Sequence, residues 1–379
     1  MHDEETIMFG ATCPDDFRLP ALDLDLLTGC RYDSLWRAAL SVLGPGHPAT
    51  VALAPFEESA SACHRAAALC GIDDVRRTLP QWLSDGLWSR RKAAGIALRD
   101  EVARVDPGAR ERHDRLRPVH LALVRMERNG VPLDGRVDTT TRYDPVGGRT
   151  ERIAIRRGLN TMSIPKGESR RKIRSRLGDA GRIVSLDFNA IDLRCIVSRV
   201  PEMVPLYAGC DDFHARTHEL VSGRPPTDDE RRMMKSLTYP MLYGGPFGAD
   251  SYSEKLRYLF TPIVEFRRRL HAEKPEEHAG ATLAIFAQTL SSRAFKAALV
   301  AADIEMLGLD GQVLPIFPVH DELVLDVSVA GCRGSALGRV NALKMIVKEM
   351  ESAAAAAAGI ECKVVVASGP SYGELESWR

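Results

Sequence analysis

No stretch of this chain is apolar for long enough to cross a bilayer, and no charged segment followed by an apolar one opens it. We therefore expect a cytoplasmic protein with no membrane partner. No CxxC pair occurs among the eight cysteines (13, 30, 63, 70, 195, 210, 332 and 362), and none of their spacings is that of a zinc site, which points to free thiols in a reducing compartment. Net charge is missing as well. The 51 Lys and Arg balance the 51 Asp and Glu, so total charge argues neither for nor against a nucleic-acid partner. With 45% hydrophobic and 27% charged residues over 379 positions, the chain is globular rather than disordered and long enough for several lobes.

What is present is unevenly spread. Between Arg149 and Arg182, eleven Lys or Arg stand against three acids, a local excess of eight positive charges, whereas the first thirty residues lean acidic. Concentrated positive charge in a neutral protein is the pattern of a surface that neutralises phosphates; a solvated charge run has the same pattern. Residues 1 to about 110 carry helical-looking pieces between Pro- and Gly-bearing breaks and no constellation of acids. Pro118 to Asn129 reads as a helix stopped by Gly130, and Val131-Pro132-Leu133-Asp134 reads as a turn into extended chain. Cys210, His214 and His218 lie at helical spacing, for which a plain helix face is a simpler account than a metal.

Three later stretches carry chemistry. Arg182 to Phe188 is β-rich and apolar with Asp187 near its end, and a helix is expected to follow over Ile191–Val200. Leu314 to Val327 has two apolar arms flanking His320-Asp321-Glu322, the pattern of a β-hairpin with acids at its tip. A carboxylate that ends a buried strand is costly unless paired or metal-bound, so Asp187 and Asp321 together are candidates for holding two Mg²⁺ ions; two strand-end turn aspartates are the plainer reading. In Arg231–Gly244, read as a helix, Arg231, Lys235, Tyr239 and Tyr243 stand four apart on one face. Two cations followed by two aromatics can grip a triphosphate and stack on a base, and a solvated amphipathic helix can carry the same residues.

In this order, the three stretches resemble motifs A, B and C of the family A DNA polymerases, the family of bacterial DNA polymerase I. Asp187–Arg194 resembles motif A, Arg231–Gly244 motif B, and Val319–Val324 motif C. Glu127–Val131 with Asp134, Gly148-Arg149 with Leu159–Pro165, Asp212-Phe213-His214, Gln288–Lys296 and Val364–Trp378 resemble other segments of the family, so the similarity runs over about residues 117–379. The resemblance implies an α+β fold: a palm built on an antiparallel sheet, helical fingers and a reduced thumb. It divides the chain into an N-terminal region of uncertain role (1–116), a first palm part (117–204), fingers (205–300) and a second palm part (301–379).

The roles that the resemblance implies are these. Asp187 and Asp321, with the backbone carbonyl of Phe188, hold two Mg²⁺ (or Mn²⁺) ions. Arg231 and Lys235 hold the triphosphate of a deoxynucleoside triphosphate, Tyr239 stacks near its sugar and base, and Asp192 stands at the nucleotide where the family's residue closes the space below the sugar. Tyr243 and Gly244 face the template side, Arg149 and Gln288 contact the primer–template, and His320 and Glu322 support the primer end and the second acid. The implied reaction is attack of the primer 3′-hydroxyl on the α-phosphate, in replication, in short gap-filling repair, or in a phage or mobile element. Low processivity and no proofreading are expected, unless the N-terminal helices or a processivity or replication partner protein substitute for the thumb. This sequence departs from the family pattern at several points. Asp192 stands where Glu is usual, which bears on ribonucleotide exclusion. Tyr239 predicts sensitivity to dideoxynucleotides, and Pro240 predicts a kink beyond Tyr239. Only fourteen residues separate Asp134 from Arg149, where a long helical thumb is normal. A primase-like or RNA-synthesising enzyme and a non-catalytic DNA-binding remnant are the alternatives.

Overall fold

The computed structural model describes residues 116–377, apart from 117, 120, 121, 124, 245–247, 249, 277, 310, 311 and 329–335. The helices expected within 1–110 lie outside the described residues. The chain clusters into two compact units. Among the described residues, one comprises 116–131, 137–146 and 155–160, and the other comprises 132–136, 147–154 and the remainder.

In the smaller unit a helix (α1, residues 116–129 at the described positions) buries Val119, Leu123 and Met126 on one face. Gly130 stops it with φ 65°, and its N–H donates to the Met126 carbonyl at 2.8 Å. A Cβ there would meet the Asp138 carbonyl oxygen at 2.6 Å, so both conformation and space demand glycine. Short strands follow, divided between the two units: β1 (Val131–Leu133), β2 (Arg136–Asp138), β3 (Arg142–Gly147) and β4 (Arg152–Arg157). Between Asp134 and Arg149 the chain therefore forms β2 and β3. Glu127 is buried in this unit, and its Oε1 accepts the Tyr143 N–H at 2.7 Å.

The larger unit is an α+β layer built on a five-stranded antiparallel sheet of order β6-β7-β5-β8-β9. After a short helix α2 (Glu168–Arg171), β5 (Gly181–Phe188) enters as the central strand. It runs Gly181↔Ser328 to Asp187↔Glu322 along β7 (Glu322–Ser328), and Ile183↔Gly369 to Phe188↔Val364 along β8 (Val364–Gly369). The near-continuous apolar run Ile183, Val184 and Leu186 suits a strand covered on both faces. The hairpin of β6 (Val313–Val319) and β7 forms as its two apolar arms require, with a bulge between Pro315 and Phe317 where proline removes a ladder donor. β9 (Glu376–Ser377) closes the edge.

The helices between β5 and β6 are α3 (Ile191–Val197), α4 (Val204–Tyr207), α5 (Phe213–Ser222), α6 (Asp228–Tyr243), α7 (Ser251–Leu259), α8 (Thr261–Glu273) and α9 (Ala279–Leu307). α10 (Ala336–Ala358) precedes β8 and packs along α9. The helix expected to reach Val200 ends three residues earlier, where the Ser198 and Val200 N–H groups turn back to Arg194 and Val197. Pro240 does not end α6, which continues to Tyr243 and is capped by Gly244 with φ 83°. Among the described residues, no helix is long and apolar enough to cross a membrane, and Cys195, Cys210 and Cys362 are free thiols.

Candidate active site

The last residues of β5 and the turn between β6 and β7 bring Asp187 and Asp321 together. Asp187 faces Glu322 across the ladder, and the Phe188 N–H donates to the Asp321 carbonyl at 3.3 Å. The turn is tight: only His320 and Asp321 lie between Val319 and Glu322, which pair, and His320 takes φ 57°. The residue as a whole is exposed, yet protein partly covers its imidazole, and this together with the Arg152 charge lowers its proton affinity.

These acids hold protons more tightly than usual. Asp187 is raised to about 7 by the protein crowding its carboxyl and then by Asp321 and Glu322, with Lys235 opposing. Asp321 is raised to about 6 by burial and then by Asp192. Asp187 nonetheless stays open to solvent at the strand end, so an ion can reach it. Mutually repelling, accessible carboxylates form an all-oxygen donor set that suits a hard divalent cation. Among the described residues, no group of three His, Cys, Asp or Glu side chains is placed to hold a metal, so such an ion would depend on two carboxylates, backbone oxygen and substrate.

α6 faces this end of the sheet. Its start is fixed by a capping box in which the Thr227 hydroxyl accepts the Glu230 N–H and the Glu230 carboxylate accepts the Thr227 N–H. Lys235 lies close enough to Asp187 to favour its ionised form. Tyr239 is pushed up to about 12 by burial and then by the charges of Asp192, Asp321 and Asp187. Tyr239 and Tyr243 stack along the helix at 6.0 Å, and His214 of α5 approaches Tyr239 at 6.2 Å. Arg231 is ion-paired with Asp212, the N-cap of α5. Burial works to raise Asp212, but the Ala215 N–H and Arg231 outweigh it and hold the acid below its usual range.

Asp192, in the first turn of α3, is held by Arg152 at 3.2 Å and by the Ser291 hydroxyl of α9. The chain carrying Arg152 is itself anchored to α9. The Glu151 carbonyl accepts from Ser292 and Lys296, and its carboxylate takes two bonds from Arg293. Arg149 lies exposed in the turn before this anchor. Gln288 lies one turn before Ser291 on α9, and its carbonyl accepts the Ser291 hydroxyl at 3.2 Å. Gly244 follows α6, where an added Cβ would come 3.6 Å from Arg267.

The structure thus gathers Asp187, Phe188, Asp321, Glu322, His320, Lys235, Tyr239, Tyr243 and Asp192 around one end of the sheet, while Arg231 is turned to Asp212. Sequence reasoning missed Arg152, Ser291, Ser185 and Tyr372, whose partners lie 40 to 137 residues away. It also missed the use made of Arg194, which is fully buried and donates to the carbonyls of Asn189, Cys210, Asp211 and Glu361, locking the chain that leaves β5. His214 and His218 serve the helix face: both are buried, and the ring of His218 faces the Ser222 hydroxyl and the Arg224 carbonyl.

No family model and no curated protein matches this chain. Among solved structures, it is similar to the polymerase domain of Pol1 from M. smegmatis in complex with DNA primer-template and dNTP, with a TM-score of 0.50 and 17% identity. The match covers 76% of this chain and 56% of that one, so the chain spans little more than half the length of that structure. At this identity the likeness is one of fold.

Proposed function

We propose that this chain is a template-directed DNA polymerase that adds deoxynucleotides to a primer 3′ end, with residues 117–204 and 301–379 as the palm and 205–300 as the fingers. The observation that carries this reading is the meeting of Asp187 and Asp321 at one strand end with Lys235 and Tyr239 of a single helix face directed at them. A pair of Mg²⁺ ions held by these aspartates, with the Phe188 carbonyl, would supply Lewis-acid activation of the attacking hydroxyl and charge neutralisation at the phosphate.

The chain's own residues do the remaining work. Lys235 meets the negative charge that builds on the leaving pyrophosphate, in a site crowded enough to strengthen each interaction. Tyr239 offers a ring face to the sugar and base. Arg231 joins the triphosphate by exchanging the Asp212 carboxylate for phosphate oxygens, a swap of one charge-assisted partner for another. The Arg152–Asp192 pair lines the sugar side. Arg149, Gln288, Tyr243, Gly244 and His320 face primer–template DNA, and the N-terminal region or a processivity or replication partner protein takes the place of the thumb.

The test is extension of a labelled primer–template with Mg²⁺, comparing dNTPs with rNTPs and wild type with Asp321→Ala. Extension with dNTPs that is lost in the variant supports the reading. Equal extension with rNTPs moves the protein to primase-like synthesis, and DNA binding without any extension sinks catalysis.

A further inference from the structure

Three carboxylates crowd the open end of the sheet, and the structure treats one of them differently. Glu322 is the cross-strand partner of Asp187, so both side chains leave the sheet on the same face. Ser185, two residues before Asp187 in the same strand, shares that face as well. Its hydroxyl donates to Glu322 Oε1 at 2.6 Å, and the Tyr372 hydroxyl donates to Oε2 at 2.8 Å. Both oxygens of Glu322 thus accept short charge-assisted bonds.

Tyr372 is well placed to hold that bond. Only 3% of the residue is exposed. Its ring meets Phe317 edge-on at 5.4 Å, and the Arg170 guanidinium lies 4.6 Å from its centroid. Its N–H donates to the Ile173 carbonyl at 2.9 Å. The chain after β8 therefore delivers a fixed hydroxyl to the acid beside Asp321.

We propose that Tyr372 is a positioning residue of the active site. With Ser185, it turns Glu322 away from the reacting end of the sheet, so that Asp187 and Asp321 are the two acids open to a divalent cation. The inference rests on the reading of that pair as metal-holding. Without the tether, Glu322 is a third, mobile carboxylate next to two fixed ones. It would strengthen cation binding and misplace the ion for the reaction, because the groups around a metal site orient its ligands.

Mn²⁺ binding to the full chain without nucleic acid, followed by electron paramagnetic resonance of the free ion, tests this. Tyr372→Phe keeps the ring and deletes the hydroxyl. It should tighten Mn²⁺ binding by about tenfold and slow single-turnover incorporation by about tenfold with little change in KM for dNTP. Adding Glu322→Gln to Tyr372→Phe should return Mn²⁺ affinity to the wild-type value, and a melting temperature near wild type shows that both variants fold. Unchanged Mn²⁺ affinity in Tyr372→Phe, or no reversal in the double variant, overturns the inference while leaving the polymerase reading intact. Mn²⁺ binding that ignores Asp321→Ala overturns the metal reading itself, and this inference with it.

Discussion

Glu127 in the smaller unit and the Asp187–Asp321 pair in the larger one are carboxyl groups that keep their protons unusually well, and their surroundings are opposite. Glu127 is pushed up to about 8 by burial alone, against the Tyr143 N–H and the charges of Arg142, Arg156 and Arg157. It is shut away, with Arg142 at 3.7 Å. Asp187 is raised by crowding and by two neighbouring acids, and solvent reaches it. An enclosed acid among cations is part of the packing, whereas an accessible acid among acids is a place where a cation would be stabilised.

Several experiments break or sharpen that contrast. The largest effect is expected from Asp321→Ala, which should lower primer extension on the order of 10³-fold or more while the chain stays folded; Glu127→Gln should leave the rate within about threefold. Lys235→Ala should cost about 10²-fold in kcat, measured under single turnover, because its partner is charge that develops in the reaction.

Stability against pH separates the two settings next. The folded-state pKa of Glu127 lies above its unfolded value, so the folded chain binds the extra proton between about 4.5 and about 8. Stability should fall as pH rises through that window, by up to a few kcal/mol on the order of one shifted buried carboxyl, and level off above it. Asp187 and Asp321, raised to about 7 and about 6, add slope of the same sign at lower pH, so denaturant titrations of Glu127→Gln should lose chiefly the part between about 7 and about 8. The smallest effect is that of the ion. At about five times its Kd, Mg²⁺ should add ~1 kcal/mol to the wild type and nothing to Asp187→Asn. Equal stabilisation of both proteins would remove the distinction between the two regions.

Much of this architecture was legible in the chain because it is local. The apolar run before Asp187, the two arms around His320–Glu322 and the four-residue spacing from Arg231 to Tyr243 each specify one element, and each formed where the pattern put it. Side-chain partners joined across distance were not legible. Nothing in the neighbourhood of Arg152 announces Asp192, forty residues on, or Ser291 beyond it. Glu322 reads as a companion of Asp321 until Ser185 and Tyr372 claim its two oxygens. Pro240 lies inside α6, which runs on to Tyr243 with Met241 and Leu242 buried, so the proline expected to kink the helix beyond Tyr239 does not end it.

The two-residue turn at His320-Asp321 makes this site sensitive to counting more than to spelling. Side chains alternate faces along β7, so one residue gained or lost between Val319 and Glu322 would turn the strand over relative to β5 and carry Glu322 and Val324 together to the other face. Many single letters around the hairpin can change at modest cost, but its length cannot. A library of one-residue insertions across the chain should therefore show a narrow silent zone here, flanked by tolerance in the longer connections between helices.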